Sequence, residues 1–282
     1  MNTLTIEKKV QVISSLVEGN SIRATCRMTG AAKGTVTRLL EAVGRACNGY
    51  QDVILRDLPC KRIQCDEIWS FCYAKDKNVP EEHKGEFGYG DVWTWTAIDA
   101  DTKLVPSWLV GLRSADYAYE FMKDLKSRLA NRVQLTTDGH RAYLSAVEGV
   151  FGADVDYGML VKIYGTPQNN ETRYSPAECI AAEKYIMQGK PEMKNVSTSY
   201  VERQNLTMRM NMRRFTRLTN AFSKKIDNLE NAVGLHFMWY NFCRPHQSLN
   251  KKRALGVTPA MAAGVATKAW TIEDLIYLTF SN

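Results

Sequence analysis

No stretch of this chain approaches the roughly 20 consecutive apolar residues of a membrane-spanning helix. A helical membrane protein is therefore not expected. The opening residues, Met1-Asn2-Thr3-Leu4-Thr5-Ile6-Glu7, have no basic segment ahead of an apolar one, so a secretory signal is not expected either. The seven cysteines form no Cys-x-x-Cys pair. Cys60, Cys65 and Cys72 cluster without a following histidine pair at zinc spacing, which argues against a zinc module. Reduced, buried thiols and a cytoplasmic location are the expectation. Internal repeats and low-complexity tracts are absent from the sequence as well.

What is present is the balance of a globular protein, 45% hydrophobic and 24% charged, in 282 residues with ample material for a core. The net charge of +7 is unevenly spread. Residues 1–47 carry a surplus of four positive charges, residues 48–189 a deficit of five, and residues 190–253 a surplus of nine. An acidic middle between basic blocks suits an enzyme that holds cations on carboxylates and phosphates on its flanks. Two solvated charged faces would give the same composition.

Residues 4–46 read as three helices, near Thr5–Glu18, Ser21–Met28 and Lys33–Ala46, with Ile6, Val10, Ile13 and Val17 at helical spacing in the first. A helix, a tight turn with Gly30 and a helix opening Lys33-Gly34-Thr35-Val36-Thr37-Arg38 form a helix-turn-helix pattern. Lys33, Thr35, Thr37 and Arg38 are then the expected DNA contacts of a domain spanning 1–47. A small dimerising bundle is the alternative. Residues 48–60 read as a linker.

A mixed α/β order follows. Strands are expected over Arg62–Tyr73, Asp91–Ala100, Leu104–Gly111, Val133–Thr137 and Tyr157–Tyr164, with helices over Asp116–Leu129 and Tyr143–Val150. Asp66 lies in the first strand and Asp138 ends the fourth. If those strands are neighbours, the two carboxyl groups meet at one edge of the sheet. Residues 165–198, punctuated by Gly165, Pro167, Pro176, Gly189 and Pro191, read as an insertion around a short helical piece, Pro176–Met187.

From Ser199 a long basic helix is expected, with Glu202, Leu206, Arg209 and Arg213 on one stripe and Val201, Met208, Met212 and Phe215 on another. The second stripe can pack on the sheet while Glu202 faces Asp66 and Asp138. An acid that merely complements the helix dipole is the plainer alternative for Glu202. Leu229–Cys243 reads as a further helix, ended by Arg244-Pro245-His246, whose aromatic and basic residues either buttress the site or touch DNA. Within the basic block, Arg203, Arg209, Arg213, Arg214 and Arg244 are the expected phosphate contacts, joined by His140, and Arg141, next to Asp138.

Five segments carry a resemblance: Cys65-Asp66-Glu67-Ile68-Trp69, Thr137-Asp138-Gly139-His140, Thr198-Ser199-Tyr200-Val201-Glu202-Arg203-Gln204-Asn205, Arg213-Arg214-Phe215-Thr216-Arg217 and Tyr240-Asn241-Phe242-Cys243-Arg244-Pro245-His246. In combination they resemble the DDE transposases of bacterial and archaeal insertion sequences, of the insertion-sequence-one type, which share the RNase H-like fold of retroviral integrases. The resemblance covers nearly the whole chain. It implies a mixed five-stranded RNase H-like sheet flanked by helices over 61–250, preceded by the all-α helix-turn-helix domain and followed by a tail over 251–282. Asp66, Asp138 and Glu202 would be the catalytic acids and the ligands of two Mg²⁺ ions, with Mn²⁺ as a substitute. Double-stranded DNA, as terminal inverted repeats and target, would be the substrate. A homo-oligomer, a dimer or higher, would bring two ends together at the nucleoid. The chemistry implied is phosphodiester hydrolysis at the element's ends and transfer of the freed 3′-OH into target DNA. Two features depart from relatives: 63 residues separate Asp138 from Glu202, more than in many of them, and the cysteine zinc module with which some begin is lacking. A DNA-binding regulator derived from an inactive transposase, and an RNase H-like nuclease without joining activity, remain as alternatives.

Overall fold

Apolar residues three and four apart build the first helices, α1 (Ile6–Val17), α2 (Ile22–Thr29) and α3 (Lys33–Ile54), in a computed structural model that describes residues 4–165, 178–216, 220–250 and 256–280. Thr5 Oγ1 accepts from Lys8 N and Ser21 Oγ from Ala24 N, so each of the first two helices has a side-chain cap. Gly30, at φ +71°, ends α2 in the left-handed region that favours glycine. α3 continues to Ile54 through the first half of the segment read as a linker, and Leu55 and Leu58 beyond it are buried. Asn48-Gly49 does not stop this helix: Cys47 and Leu55 continue the buried face, and Gln51 between them is buried with its amide donating to Cys47 O and Gly234 O.

The sheet follows: β1 (Arg62–Cys72), β2 (Gly90–Asp99) and β3 (Ser107–Gly111) are antiparallel neighbours. Then come α4 (Ala115–Arg128), β4 (Gln134–Asp138), α5 (Ala142–Phe151), β5 (Asp156–Tyr164) and β6 (Cys179–Gln188). The helices α4 and α5 supply the long crossovers that parallel pairing needs, and β1/β4 and β4/β5 are parallel. The order is β3-β2-β1-β4-β5-β6, a mixed six-stranded sheet with β1 and β4 at its centre.

The sixth strand corrects the expected five. Ala181-Ala182-Glu183-Lys184 has helix-forming composition, yet Cys179–Gln188 pairs antiparallel with β5. Pairing with a strand already in place overrides local preference, helped by Ile180, Tyr185 and Ile186. Pro176 and Ala177, which open the expected helical piece, lie outside the described residues, as do Pro167 and Arg217.

The chain then forms α6 (Ser199–Asn211), α7 (Ile226–Met238), α8 (Pro259–Ala262) and α9 (Ile272–Tyr277). α6 stops at Asn211, so Arg213 and Phe215 fall in a following 3₁₀ turn instead of the expected continuous helix. Val201, Met208, Met212 and Phe215 are nevertheless buried together, as their spacing requires. One apolar core joins Ile13, Leu40 and Val43 of the N-terminal helices to Trp95 and Leu135 of the sheet, Phe237 of α7 and Ile276 of α9. Gly44 of α3 faces Asn231 of α7 so closely that an added Cβ would lie 2.3 Å from the Asn231 carbonyl oxygen. Asn241, just after α7 and fully buried, clasps the backbone before β3: Val105 N donates to its Oδ1 at 3.0 Å and its Nδ2 donates to Val105 O at 2.9 Å. That part of the Tyr240–His246 motif is a buttress.

Candidate active site

Parallel pairing of β1 with β4 runs from Arg62↔Gln134 to Cys65↔Thr137. The next residue on each strand is an acid, Asp66 and Asp138, where the two strands leave their shared ladder. One carboxylate oxygen from each of Asp66, Glu67 and Asp138 lies within 4.8 Å of the others. Asp66 and Gln64 share the face covered by α6. There Asn205 Nδ2 donates to Asp66 Oδ2 at 2.8 Å, while Glu67 N donates to Oδ1 at 2.9 Å. Glu67 starts from the opposite face and is held by Arg113, whose Nε donates to Oε1 at 2.7 Å, and by the Tyr143 hydroxyl at 3.2 Å. His140 N donates to Asp138 Oδ1 at 3.0 Å and so fixes the third carboxylate.

Glu202 approaches from α6. Thr198, the residue before that helix, provides no side-chain cap. Instead Gln64 Oε1, from the sheet, accepts from Tyr200 N at 2.8 Å and Val201 N at 3.3 Å. A strand residue two positions before Asp66 thus pins the start of the helix that carries Glu202. Lys162 Nζ and Thr198 Oγ1 both donate to Glu202 Oε1. Glu202 lines the same cleft as Asp66, Glu67 and Asp138, an open space of about 950 Å³. Its stripe on α6 follows helical spacing, with Asn205, Leu206 and Arg209 along the same wall.

Burial, then the neighbouring Glu67 and Asp138 charges, push the Asp66 carboxyl up to about 7, with a smaller contribution from Glu202. Glu67 is raised by burial and by Asp138, against the pull of Arg113. Like charges this close, with little water, call for a proton or a cation between them. Carboxylate oxygens are hard donors, and an all-oxygen set suits Mg²⁺ or Mn²⁺ better than softer metals. The residues present fit such an ion.

Of the expected phosphate contacts, His140 and Arg209 line this cleft, with Arg113, Arg141 and Lys162 beside them. Arg213 is exposed just beyond α6. Arg203 and Arg244 are exposed but line a separate cleft on the other side of α6. Arg214 turns inward, donating from Nε to Ser223 Oγ at 2.7 Å, and burial lowers its guanidinium to about 10. Lys33 and Arg38 are exposed at the start of α3, and Thr35 and Thr37 are half-buried. Glu67 was not among the expected site residues. Strand alternation points it away from Asp66, and the length of its side chain where β1 and β4 part returns it to the cluster. Compared with protein-family models and with curated proteins, the chain matches none.

Proposed function

We propose that the chain is a DNA transposase of the DDE type, which cuts at the ends of its element and joins the freed 3′-OH to target DNA. The convergence of Asp66, Glu67 and Asp138 within 4.8 Å where the central β1/β4 ladder ends, with Glu202 lining the same cleft, carries this proposal. The mixed sheet, antiparallel over β1–β3 and parallel over β1, β4 and β5, supports the RNase H-like assignment. Divalent ions held there, Mg²⁺ or Mn²⁺, would supply activation of an oxygen nucleophile and stabilisation of the leaving oxygen.

The protein's own residues do the positioning. Asp66, Asp138 and Glu202 present carboxylates to the reacting phosphate region, and Asn205 and His140 N hold the first two in place. Arg113 and Tyr143 hold Glu67 in place beside them. Arg141, Lys162 and Arg209 offer positive charge to the flanking phosphates along the cleft wall. The helix-turn-helix reading of α1–α3 supplies recognition of the terminal repeats, with Lys33 and Arg38 facing solvent. A nucleoid-associated homo-oligomer acting on double-stranded DNA completes the proposal. No helix among the described residues is long and apolar enough to cross a membrane.

The test uses labelled duplexes taken from the DNA flanking the coding sequence, incubated with Mg²⁺ and a target plasmid. Joined products are expected from the native protein. Asp66→Asn, Asp138→Asn and Glu202→Gln are each expected to abolish joining while retaining binding to the ends. Cleavage without joining would favour the plain nuclease, and binding without either would favour the regulator.

A further inference from the structure

α6 has two working faces. Thr198, Glu202, Asn205, Leu206 and Arg209 look toward the carboxylates, while Tyr200, Arg203, Gln204 and Thr207, at the same helical spacing, wall a second cleft of about 300 Å³. Its other walls are Ile98 of β2, Lys103 from the turn after it, and Tyr240 with residues 244–248 after α7. Lys103, Arg203, Arg244 and His246 bring positive charge or proton donors into it, and among the described residues no aspartate or glutamate lines it.

The cations are differently held. Lys103 is almost buried, its ammonium 3.7 Å from the centre of the Tyr200 ring and donating to Ala100 O. Arg244 spans from Asn211 Oδ1, at 3.0 Å, across the Trp239 ring. Arg203 has no carboxylate partner among the described residues. Gln204 is only 2% exposed, and its side-chain amide nitrogen has no hydrogen-bond acceptor. Burying a donor without an acceptor is costly, so its presence at the wall of a cationic cleft points to an acceptor that belongs there. His246 meets the same field: burial, then Lys103, Arg244 and Arg203, hold its imidazole below the usual range. Its Nδ1 lies 2.9 Å from Ser248 Oγ and its ring stands edge-on to Tyr240.

We propose that this second cleft is a phosphate-binding site, with the Gln204 amide, the Arg203 and Arg244 guanidinium groups and the His246 imidazole as its donors. Guanidinium forks match phosphate oxygens in pairs, and an uncharged amide with no competing acceptor adds a directed hydrogen bond. The phosphate comes either from a nucleic-acid backbone passing behind α6 or from a free phosphate. The first source rests on the transposase proposal and extends it to a second strand contact. The site itself does not rest on it.

The full-length protein tests it by following the His246 imidazole in NMR as inorganic phosphate replaces chloride at constant ionic strength. The signal is assigned with His246→Gln. Phosphate is expected to raise the His246 pKa and to saturate. The double variant Arg203→Gln, Arg244→Gln is expected to weaken phosphate binding by about tenfold or more, with far-UV circular dichroism unchanged. Displacement of phosphate by a duplex oligonucleotide assigns the site to a nucleic-acid backbone, and retention of phosphate assigns it to a free anion. An unchanged His246 titration in the native protein overturns the proposal without needing any variant, and so does native affinity in a folded double variant. Asp66→Asn is expected to leave the phosphate response intact, so failure at the carboxylates and failure here are separable.

Discussion

At the scale of single residues, the carboxylate cluster makes a signed prediction about pH. Asp66 has an ordinary value of 3.8 and about 7 in the fold. Between those values the folded protein keeps a proton that the unfolded chain has lost, so stability falls as pH rises through that window and levels off above it. The slope attributable to this group is at most about 1.4 kcal/mol per pH unit. A divalent cation replaces the proton, so Mn²⁺ is expected to raise the melting temperature more at about pH 8 than at about pH 5. Asp66→Asn removes that difference, and an equal shift at both pH values in the native protein would count against a cation at this cluster. Glu67 is engaged by Arg113 and Tyr143, so Glu67→Gln is expected to weaken Mn²⁺ binding by about 10–100-fold, as loss of a supporting group does, without abolishing it. Calorimetric titration measures this.

The placing of Asp66 within a strand, Asp138 at the end of another and Glu202 in the first turn of a helix was legible from pattern. Glu67 was not, since alternation describes Cβ directions and not the reach of a longer side chain where two strands part. Arg214 sits in a run that reads as basic and exposed, and no period of the sequence marks its guanidinium as turning inward to Ser223.

Among the elements, α6 matters most, and its position is set by Gln64 on the neighbouring strand. Gln64→Leu leaves the backbone N–H groups of Tyr200, part-buried, and Val201, buried, without their acceptor. A cost of about 1–3 kcal/mol in unfolding free energy is expected, read from the denaturation midpoint. Joining activity is expected to fall further than end binding, because Glu202 rides on the same first turn. A variant with native stability would show that Gln64 does not anchor the helix. The stripes of α6 were readable as periodicity, but its partner at the N-terminus was not, because Gln64 lies in a strand over 130 residues away. β6 was misread for a related reason. Its composition is ambiguous, and only the unsatisfied edge of β5 decides between helix and strand.

For the whole molecule, the N-terminal helices share one core with the sheet and α7. Two glycines of α3 separate packing from helix preference. Gly44→Ala gains about 1 kcal/mol of helix propensity but forces its methyl to 2.3 Å from the Asn231 carbonyl oxygen. Overpacking of that kind costs about 1–3 kcal/mol or more, so a net loss of stability is expected. Gly49→Ala meets nothing within 4 Å and is expected to stabilise by about 0.5–1 kcal/mol. Tryptophan fluorescence, from side chains that all lie after residue 60 with Trp270 packed on Tyr50 of α3, and far-UV circular dichroism are expected to shift together in Gly44→Ala. Separated transitions would mean that the helices unfold on their own. The α/β class and most element positions followed from hydrophobic period. The joining of the N-terminal helices to α7 did not, since a glycine contact between distant helices leaves no local signal.

The central claim is that distant acids form one cation-holding pocket, and electron paramagnetic resonance of Mn²⁺ at about pH 8 tests it most directly. Saturable loss of the free Mn²⁺ signal in the native protein is expected, absent when Asp66→Asn and Asp138→Asn are combined. A free-ion signal that the native protein does not diminish, or one that the double variant diminishes equally, would contradict it.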